Sequence, residues 1–108
     1  MKTTLQEIKD KIASAKGLEE NHKAELSELV DKLYSELETL SRTDRNRAES
    51  VSGFAKVSAN EAANGDNPQT LDYALKGFSS SVEQLEASHP RVVEIVNRLC
   101  KMLSDIGI

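Results

Sequence analysis

The sequence predicts an all-α protein, and three observations support that prediction. Apolar residues recur at steps of three and four along the whole chain, which is the spacing of one helix face. The sequence lacks the strict apolar-polar alternation of a half-buried strand. A Gly or Pro stands at most segment boundaries, where these residues end one helix or start the next. We therefore expect one domain over residues 1–108, a five-helix bundle in which an N-terminal antiparallel helical hairpin (1–41) precedes a C-terminal antiparallel three-helix unit (44–108).

The first predicted helix runs from about Thr4 to Lys16. Thr4 and Glu7 have the spacing of a capping box, in which each side chain bonds a backbone amide at the helix start. Gly17 follows the last residue of the periodic pattern, and glycine there reverses the chain without steric cost. The apolar stripe of this helix consists of Leu5, Ile8 and Ile12.

The second and third predicted helices differ in the strength of their apolar stripes. The second runs from about Glu19 to Leu40, and its stripe consists of Leu26, Leu29, Val30, Leu33, Tyr34, Leu37 and Leu40. The third runs from about Asp44 to Asn64, and its weaker, Ala-rich stripe consists of Ala48, Val51, Phe54, Ala55, Ser58 and Ala62. Both patterns are typical of helices that bury one face.

Two boundary motifs define the fourth and fifth predicted helices. Asn67 and Pro68 are suited to the N-cap and first position of a helix that runs to about Ala87. Ser88-His89-Pro90 then interrupts the pattern, because proline disfavours helical geometry in the residue before it. The fifth helix follows to about Ile106, and Gly107 with Ile108 has the pattern of a Schellman stop. Pro90 marks either a full chain reversal or a kink in one continuous helix.

The apolar stripes also predict how the C-terminal helices are aligned. In an antiparallel pair, facing residues have position numbers with a nearly constant sum. Phe54 then lies level with Phe78, and Phe78 lies level with Leu99. We expect these three side chains to share the middle layer of the three-helix unit.

The N-terminal hairpin leaves part of its second helix uncovered. Pairing Leu5 with Val30 and Ile8 with Leu26 uses up the first helix before the second one ends. The C-terminal helices could cover the remainder, or the same surface in a second copy could, because large apolar patches on small monomers mark interfaces. The candidate interface consists of Tyr34, Leu37 and Leu40, and we expect a homo-oligomer.

Two glycines stand inside predicted helices, each directly before a phenylalanine. Gly53 precedes Phe54 and Gly77 precedes Phe78, although a glycine inside a helix costs about 1 kcal/mol relative to alanine. Close packing of neighbouring helices is one explanation. A ligand pocket formed by these four residues is the other.

The sequence offers no catalytic, metal-binding or cofactor-binding constellation. Its single cysteine, Cys100, has neither a disulfide partner nor a second thiol for a zinc site, and its two histidines, His22 and His89, lie far apart in the sequence. We expect Cys100 to be a half-buried structural thiol and His22 an exposed side chain. We therefore expect a protein that is not an enzyme and carries no cofactor.

Charge and hydropathy argue against nucleic-acid and membrane partners. The formal net charge is -4, and Arg42, Arg45 and Arg47 are interrupted by acidic residues, which favours a solvated helix start over a phosphate site. No apolar run approaches the length of a membrane-spanning helix. The first residues turn acidic without an apolar core, so we expect no secretory signal and a cytoplasmic protein.

The C-terminal half resembles a known family. The resemblance rests on Arg47-Ala48-Glu49-Ser50, Gly53-Phe54, Asn67-Pro68, Ser88-His89-Pro90-Arg91, Leu103-Ser104 and Ile106-Gly107-Ile108. These segments are similar to domain-of-unknown-function family 4404. The resemblance implies a small bacterial protein without known activity, and it makes His89, Pro90, Gly107 and Ile108 structural signature positions.

Two functions from different classes remain as hypotheses. The first is a non-enzymatic helical protein that binds itself or another protein. The alternative is a helical bundle that binds a small molecule or a lipid tail in the candidate pocket.

Overall fold

Five α-helices and one 3₁₀ turn form the described part of the computed structural model, which comprises residues 2–16, 18–64 and 67–106. No strand occurs within these ranges, so the all-α prediction is confirmed. The helices are α1 (Lys2–Ser14), α2 (Glu20–Ser41), α3 (Arg45–Asn64), α4 (Pro68–Ser81) and α5 (Pro90–Ile106), and the 3₁₀ turn Glu83–Leu85 lies between α4 and α5.

Two helix starts follow directly from the residues that cap them. The Asn67 side chain accepts hydrogen bonds from the backbone amides of Gln69 at 2.9 Å and Thr70 at 3.4 Å, and Pro68 occupies the first turn. Asp44 Oδ1 accepts from the Arg47 amide at 3.0 Å before α3. Each cap satisfies amides that have no partner inside the helix. The predicted start of α4 is therefore confirmed.

Two predicted boundaries are wrong. α1 already includes Lys2, so Thr4 lies inside the helix and is not the N-cap of a capping box. α4 ends at Ser81 rather than near Ala87, because the Ser81 hydroxyl donates to the Phe78 carbonyl at 2.6 Å and the chain tightens into the 3₁₀ turn. The predicted stops at Gly17 and Gly107-Ile108 lie outside the described residues, as does Gly65, the residue after the predicted end of the third helix.

The chain reverses between α4 and α5. The His89 amide donates to the Leu85 carbonyl at 2.7 Å, and the Val92 amide donates to the His89 carbonyl at 3.1 Å. Further along, the Cys100 thiol of α5 donates to the Leu75 carbonyl of α4 at 3.8 Å, so the two helices run antiparallel. Of the two alternatives at Pro90, the structure has the full reversal.

α3 contacts each of the other four helices. α3 runs parallel to α1, and Lys56 of α3 pairs with Glu7 of α1 at 2.6 Å. It runs antiparallel to α4, and Phe54 of α3 lies against Gly77 of α4. Its buried side chains are small: Ala48, Val51, Ser52, Ala55, Ser58, Ala59 and Ala62. Small side chains let several neighbours approach one helix closely, which explains the weak stripe that the sequence shows.

One hydrophobic cluster draws buried side chains from all five helices. α2 and α5 run antiparallel within this arrangement, and Arg91 of α5 lies 3.8 Å from Glu36 of α2. The predicted hairpin and three-helix unit therefore share one core. No helix in the described ranges is both long enough and apolar enough to cross a membrane.

Candidate functional site

The predicted interface of Tyr34, Leu37 and Leu40 lies inside the protein. These side chains are 5%, 0% and 1% exposed, because α3 and α5 pack against α2. α1 also reaches further along α2 than the sequence predicts, since Leu5 lines the same surface hollow as Tyr34 and Glu38. The interface prediction is wrong for these residues, and cover by the C-terminal helices, the other alternative, is what the structure shows.

The predicted pocket around the two glycines is wrong as well. A methyl group on Gly77 would lie 2.5 Å from Cε1 of Phe54, so the Phe54 ring already occupies the space above Gly77. Phe78 is fully buried in the core. Gly77 is therefore explained by close packing of α3 against α4, which was the competing interpretation.

Gly53 behaves differently from Gly77. A methyl group on Gly53 would have no atom within 4 Å, and the residue is exposed in the middle of α3. A glycine inside a helix lowers stability relative to alanine, and packing within the chain does not explain why position 53 is a glycine.

Three large apolar side chains are exposed beside Gly53. Phe54 is 38%, Val57 49% and Tyr73 72% exposed. Val57 lies one turn after Phe54 on α3, and Tyr73 lies one turn before Gly77 on the antiparallel α4. Because Phe54 contacts Gly77, Val57 and Tyr73 fall on the same side of that contact. We call Gly53, Phe54, Val57 and Tyr73 the α3–α4 surface.

Sequence reasoning missed Val57 and Tyr73 as surface residues. Neither belongs to the apolar stripe of its helix, because both stand among polar residues on the opposite face. An apolar residue off the stripe is the signal that could have identified them. Phe54 was assigned to the middle of the core, and it lies at the core's edge.

The charged groups near this surface are distributed along α3. The half of α3 before Gly53 carries Arg45, Arg47 and Glu49, and the half after it carries Lys56 and Glu61. Arg45 pairs with Glu49 at 3.3 Å, and Arg47 donates to the side-chain oxygen of Gln84 at 2.5 Å. Two of the three arginines that the sequence groups together, Arg45 and Arg47, therefore have partners within the chain.

The remaining candidate side chains show little reactive character. Burial raises the pKa of the Cys100 thiol to about 11, which lowers its thiolate fraction at neutral pH. His89 Nδ1 shares a 3.0 Å hydrogen bond with Ser88 Oγ, which fixes it at the start of α5. In residues 2–16, 18–64 and 67–106, no three His, Cys, Asp or Glu side chains are grouped to hold a metal ion.

His22 lies at the rim of a surface cleft of about 430 Å³ between the start of α2 and the end of α5. The cleft is lined by Lys16, Leu18, His22, Glu25, Met102, Asp105 and Ile106. Its lining includes Lys16, Leu18 and Ile106, the sequence neighbours of Gly17 and Gly107, and those two glycines lie outside the described residues. The α3–α4 surface, by contrast, consists entirely of described residues, and we take it as the candidate functional site.

Comparison with known proteins identifies one family. The model of the family described as Domain of unknown function (DUF4404) matches residues 26–108. No curated protein and no solved structure matches the chain. The matched range includes all of α3, α4 and α5, and therefore the whole α3–α4 surface.

Proposed function

This chain belongs to the DUF4404 family of domains of unknown function, and we propose that it is a non-enzymatic helical protein that binds another protein chain through the α3–α4 surface. This function keeps the interaction role expected from the sequence and moves its site from α2 to α3 and α4. The ligand-binding alternative loses its pocket, because the Phe54 ring fills the space over Gly77.

The exposure of Tyr73, together with that of Val57 and Phe54, is the observation that carries this proposal. Single exposed apolar side chains are common on protein surfaces. Three of them on neighbouring turns of two packed helices are a group rather than single residues, and grouped exposed apolar side chains are typical of an interaction site. Tyrosine suits such a site because its ring is apolar and its hydroxyl remains able to form hydrogen bonds.

The properties of Cys100 support a non-enzymatic role. Nucleophilic catalysis by cysteine requires the thiolate, whereas burial raises the pKa of this thiol to about 11. The thiol also donates to the Leu75 carbonyl, a contact that favours the protonated form. Cys100 is therefore suited to packing between α4 and α5.

We also propose that the protein resides in the bacterial cytoplasm. Cys100 is a free thiol, and thiols persist in the reducing cytosol. The family resemblance favours a bacterial source. Fractionation of cells that express the tagged protein tests the location, and recovery in the periplasmic fraction would contradict it.

Site-specific photo-crosslinking in living cells tests the proposed surface. A photoreactive phenylalanine analogue replaces Tyr73 in one variant and Asn97, an exposed residue of α5, in the matched control. We expect a covalent protein adduct from position 73 and none from position 97. If irradiation yields no adduct at position 73, or yields equal adducts at both positions, the α3–α4 surface is not an interaction site.

A further inference from the structure

We infer that the chain bound at the α3–α4 surface is a second copy of this protein, packed antiparallel across α3 with Gly53 at the crossing point. This inference rests on the proposed function and names the partner. Three features of α3 lead to it: the open space at Gly53, the apolar side chains beside that space, and the distribution of charge along the helix.

Gly53 permits another backbone to approach α3 closely. It needs no unusual conformation, since it lies within a regular helix, and no atom of its own chain lies within 4 Å of the methyl group it lacks. Neither an unusual backbone conformation nor close packing within the chain requires a glycine at position 53. A glycine at such a position is suited to close approach by another chain. The open space lies on the outer face of α3, where a second helix can cross.

The side chains around Gly53 are suited to the centre of such a crossing. Val57, which is 49% exposed, follows Gly53 by one turn. Ser50, which is small and exposed, precedes Gly53 by about one turn. A two-fold axis at Gly53 places Val57 of each copy near Ser50 of the other, which seats a large side chain beside a small one. Tyr73 projects from α4 at the edge of this contact and extends the apolar area.

The charges on α3 favour a second copy in the antiparallel orientation. Arg45, Arg47 and Glu49 lie before Gly53, and Lys56 and Glu61 lie after it. Because residues on the same side of each helix meet in an antiparallel pair, such a copy places Arg47 of each chain near Glu61 of the other and Glu49 near Lys56. A parallel copy would bring arginines beside arginines, and unlike charges across an interface select partner and orientation.

Light scattering and sedimentation across a concentration series test the assembly. We expect the wild type to reach twice the 11.9 kDa mass of one chain. Gly53→Lys keeps the monomer fold, because the new side chain enters open space, and it should weaken dimerisation by at least about tenfold. Asn97→Lys adds the same charge on α5 and should dimerise as the wild type does. Circular dichroism confirms that each variant is folded.

A charge exchange tests the orientation. Glu61→Arg places an arginine opposite Arg47 of the other copy, and a second variant, Arg47→Glu, places a glutamate opposite Glu61. We expect each variant alone to form a weaker homodimer than the wild type. The equimolar mixture should form a heterodimer, because position 47 of each chain then faces the opposite charge at position 61 of the other. A mixture that stays monomeric while the wild type dimerises overturns the antiparallel arrangement.

The failure of this inference is distinguishable from the failure of the proposed function. A wild type that stays monomeric throughout, or a Gly53→Lys variant that dimerises as tightly as the wild type, overturns the second copy at this site. A crosslinked adduct from position 73 whose mass differs from twice that of one chain then still supports the proposed function. The absence of any adduct overturns both.

Discussion

Tyr34 of α2 and Ser52 of α3 form a buried hydrogen-bonded pair. The Tyr34 hydroxyl lies 2.8 Å from Ser52 Oγ and donates to the Ser52 carbonyl at 3.2 Å. Both side chains are nearly inaccessible to solvent, so each satisfies a polar group that would otherwise be buried without a partner. The pair joins the N-terminal hairpin to the central helix through a specific polar contact.

Removing either member of this pair should destabilise the protein. We expect Tyr34→Phe to lower the free energy of unfolding by about 1 to 2 kcal/mol, because it leaves the buried Ser52 hydroxyl unpaired. Ser52→Ala should lower it by less, because the Tyr34 hydroxyl keeps its hydrogen bond to the backbone carbonyl of residue 52. The double variant should lose less than the two single losses combined, by about 1 kcal/mol. Urea unfolding of the four proteins measures this coupling, and strictly additive losses would show that the contact does not stabilise the fold.

The same tyrosine predicts a dependence of stability on alkaline pH. Burial raises the pKa of Tyr34 above its ordinary value of 10.0, and the hydrogen bond with Ser52 offsets only part of that shift. The folded state therefore holds the phenol proton more tightly than the unfolded chain does. The contribution of the Tyr34 phenol to the free energy of unfolding is complete below about pH 10. It declines as the pH rises further, because ionisation of the phenol then favours the unfolded state.

A comparison with Tyr34→Phe isolates this effect. The difference in unfolding free energy between the wild type and the variant should be constant from neutral pH to about pH 10 and should shrink above it. Lysines titrate in both proteins and cancel in the difference. A difference that stays constant, or grows, above pH 10 would contradict the assigned pKa direction.

Ser58 provides a prediction of the opposite sign. Its side chain is fully buried, and its Oγ has no hydrogen-bond partner among the described residues. We expect Ser58→Ala to stabilise the protein by about 1 kcal/mol, because the substitution removes a buried hydroxyl without a partner. Ser50→Ala, at an exposed position of the same helix, measures the gain in helix propensity alone. Equal effects in thermal unfolding at the two positions would mean that the Ser58 hydroxyl is satisfied.

Cys100 should react slowly in the folded protein. With its pKa raised to about 11, the thiolate fraction near pH 8 falls roughly a hundredfold relative to an ordinary thiol. We expect the rate of alkylation by iodoacetamide to fall by at least tenfold in native buffer and to recover in urea. A native rate equal to that of the unfolded chain would show that the thiol is neither buried nor bonded to Leu75.

Periodicity predicted the helices well because burial of one face is a local property of each segment. The start of α4 was predictable for the same reason, since Asn67 and Pro68 act within one turn. The alignment of α3 with α4 was also close, because the Phe54 ring contacts Gly77, one residue before the Phe78 with which it was expected to lie level.

The candidate site was harder to predict because it depends on which faces of different helices meet. Tyr34, Leu37 and Leu40 lack cover within the predicted hairpin, and only the packing of α3 and α5 shows that they are internal. Gly53 and Gly77 have the same sequence context, a glycine before a phenylalanine. Their surroundings differ because Gly77 of α4 faces Phe54 of α3, whereas Gly53 of α3 faces outward.

The central place of α3 has a consequence for folding during synthesis. α1 and α2 leave the ribosome first, and their apolar faces have no complete cover until α3 has emerged. α3 then closes against them on one side and presents the surface on which α4 and α5 assemble. Each successive helix packs beside the one before it, whereas the contacts between α2 and α5 form only after the last helix has emerged. A nascent chain that stops before residue 45 would expose Leu37 and Leu40 to chaperones and proteases.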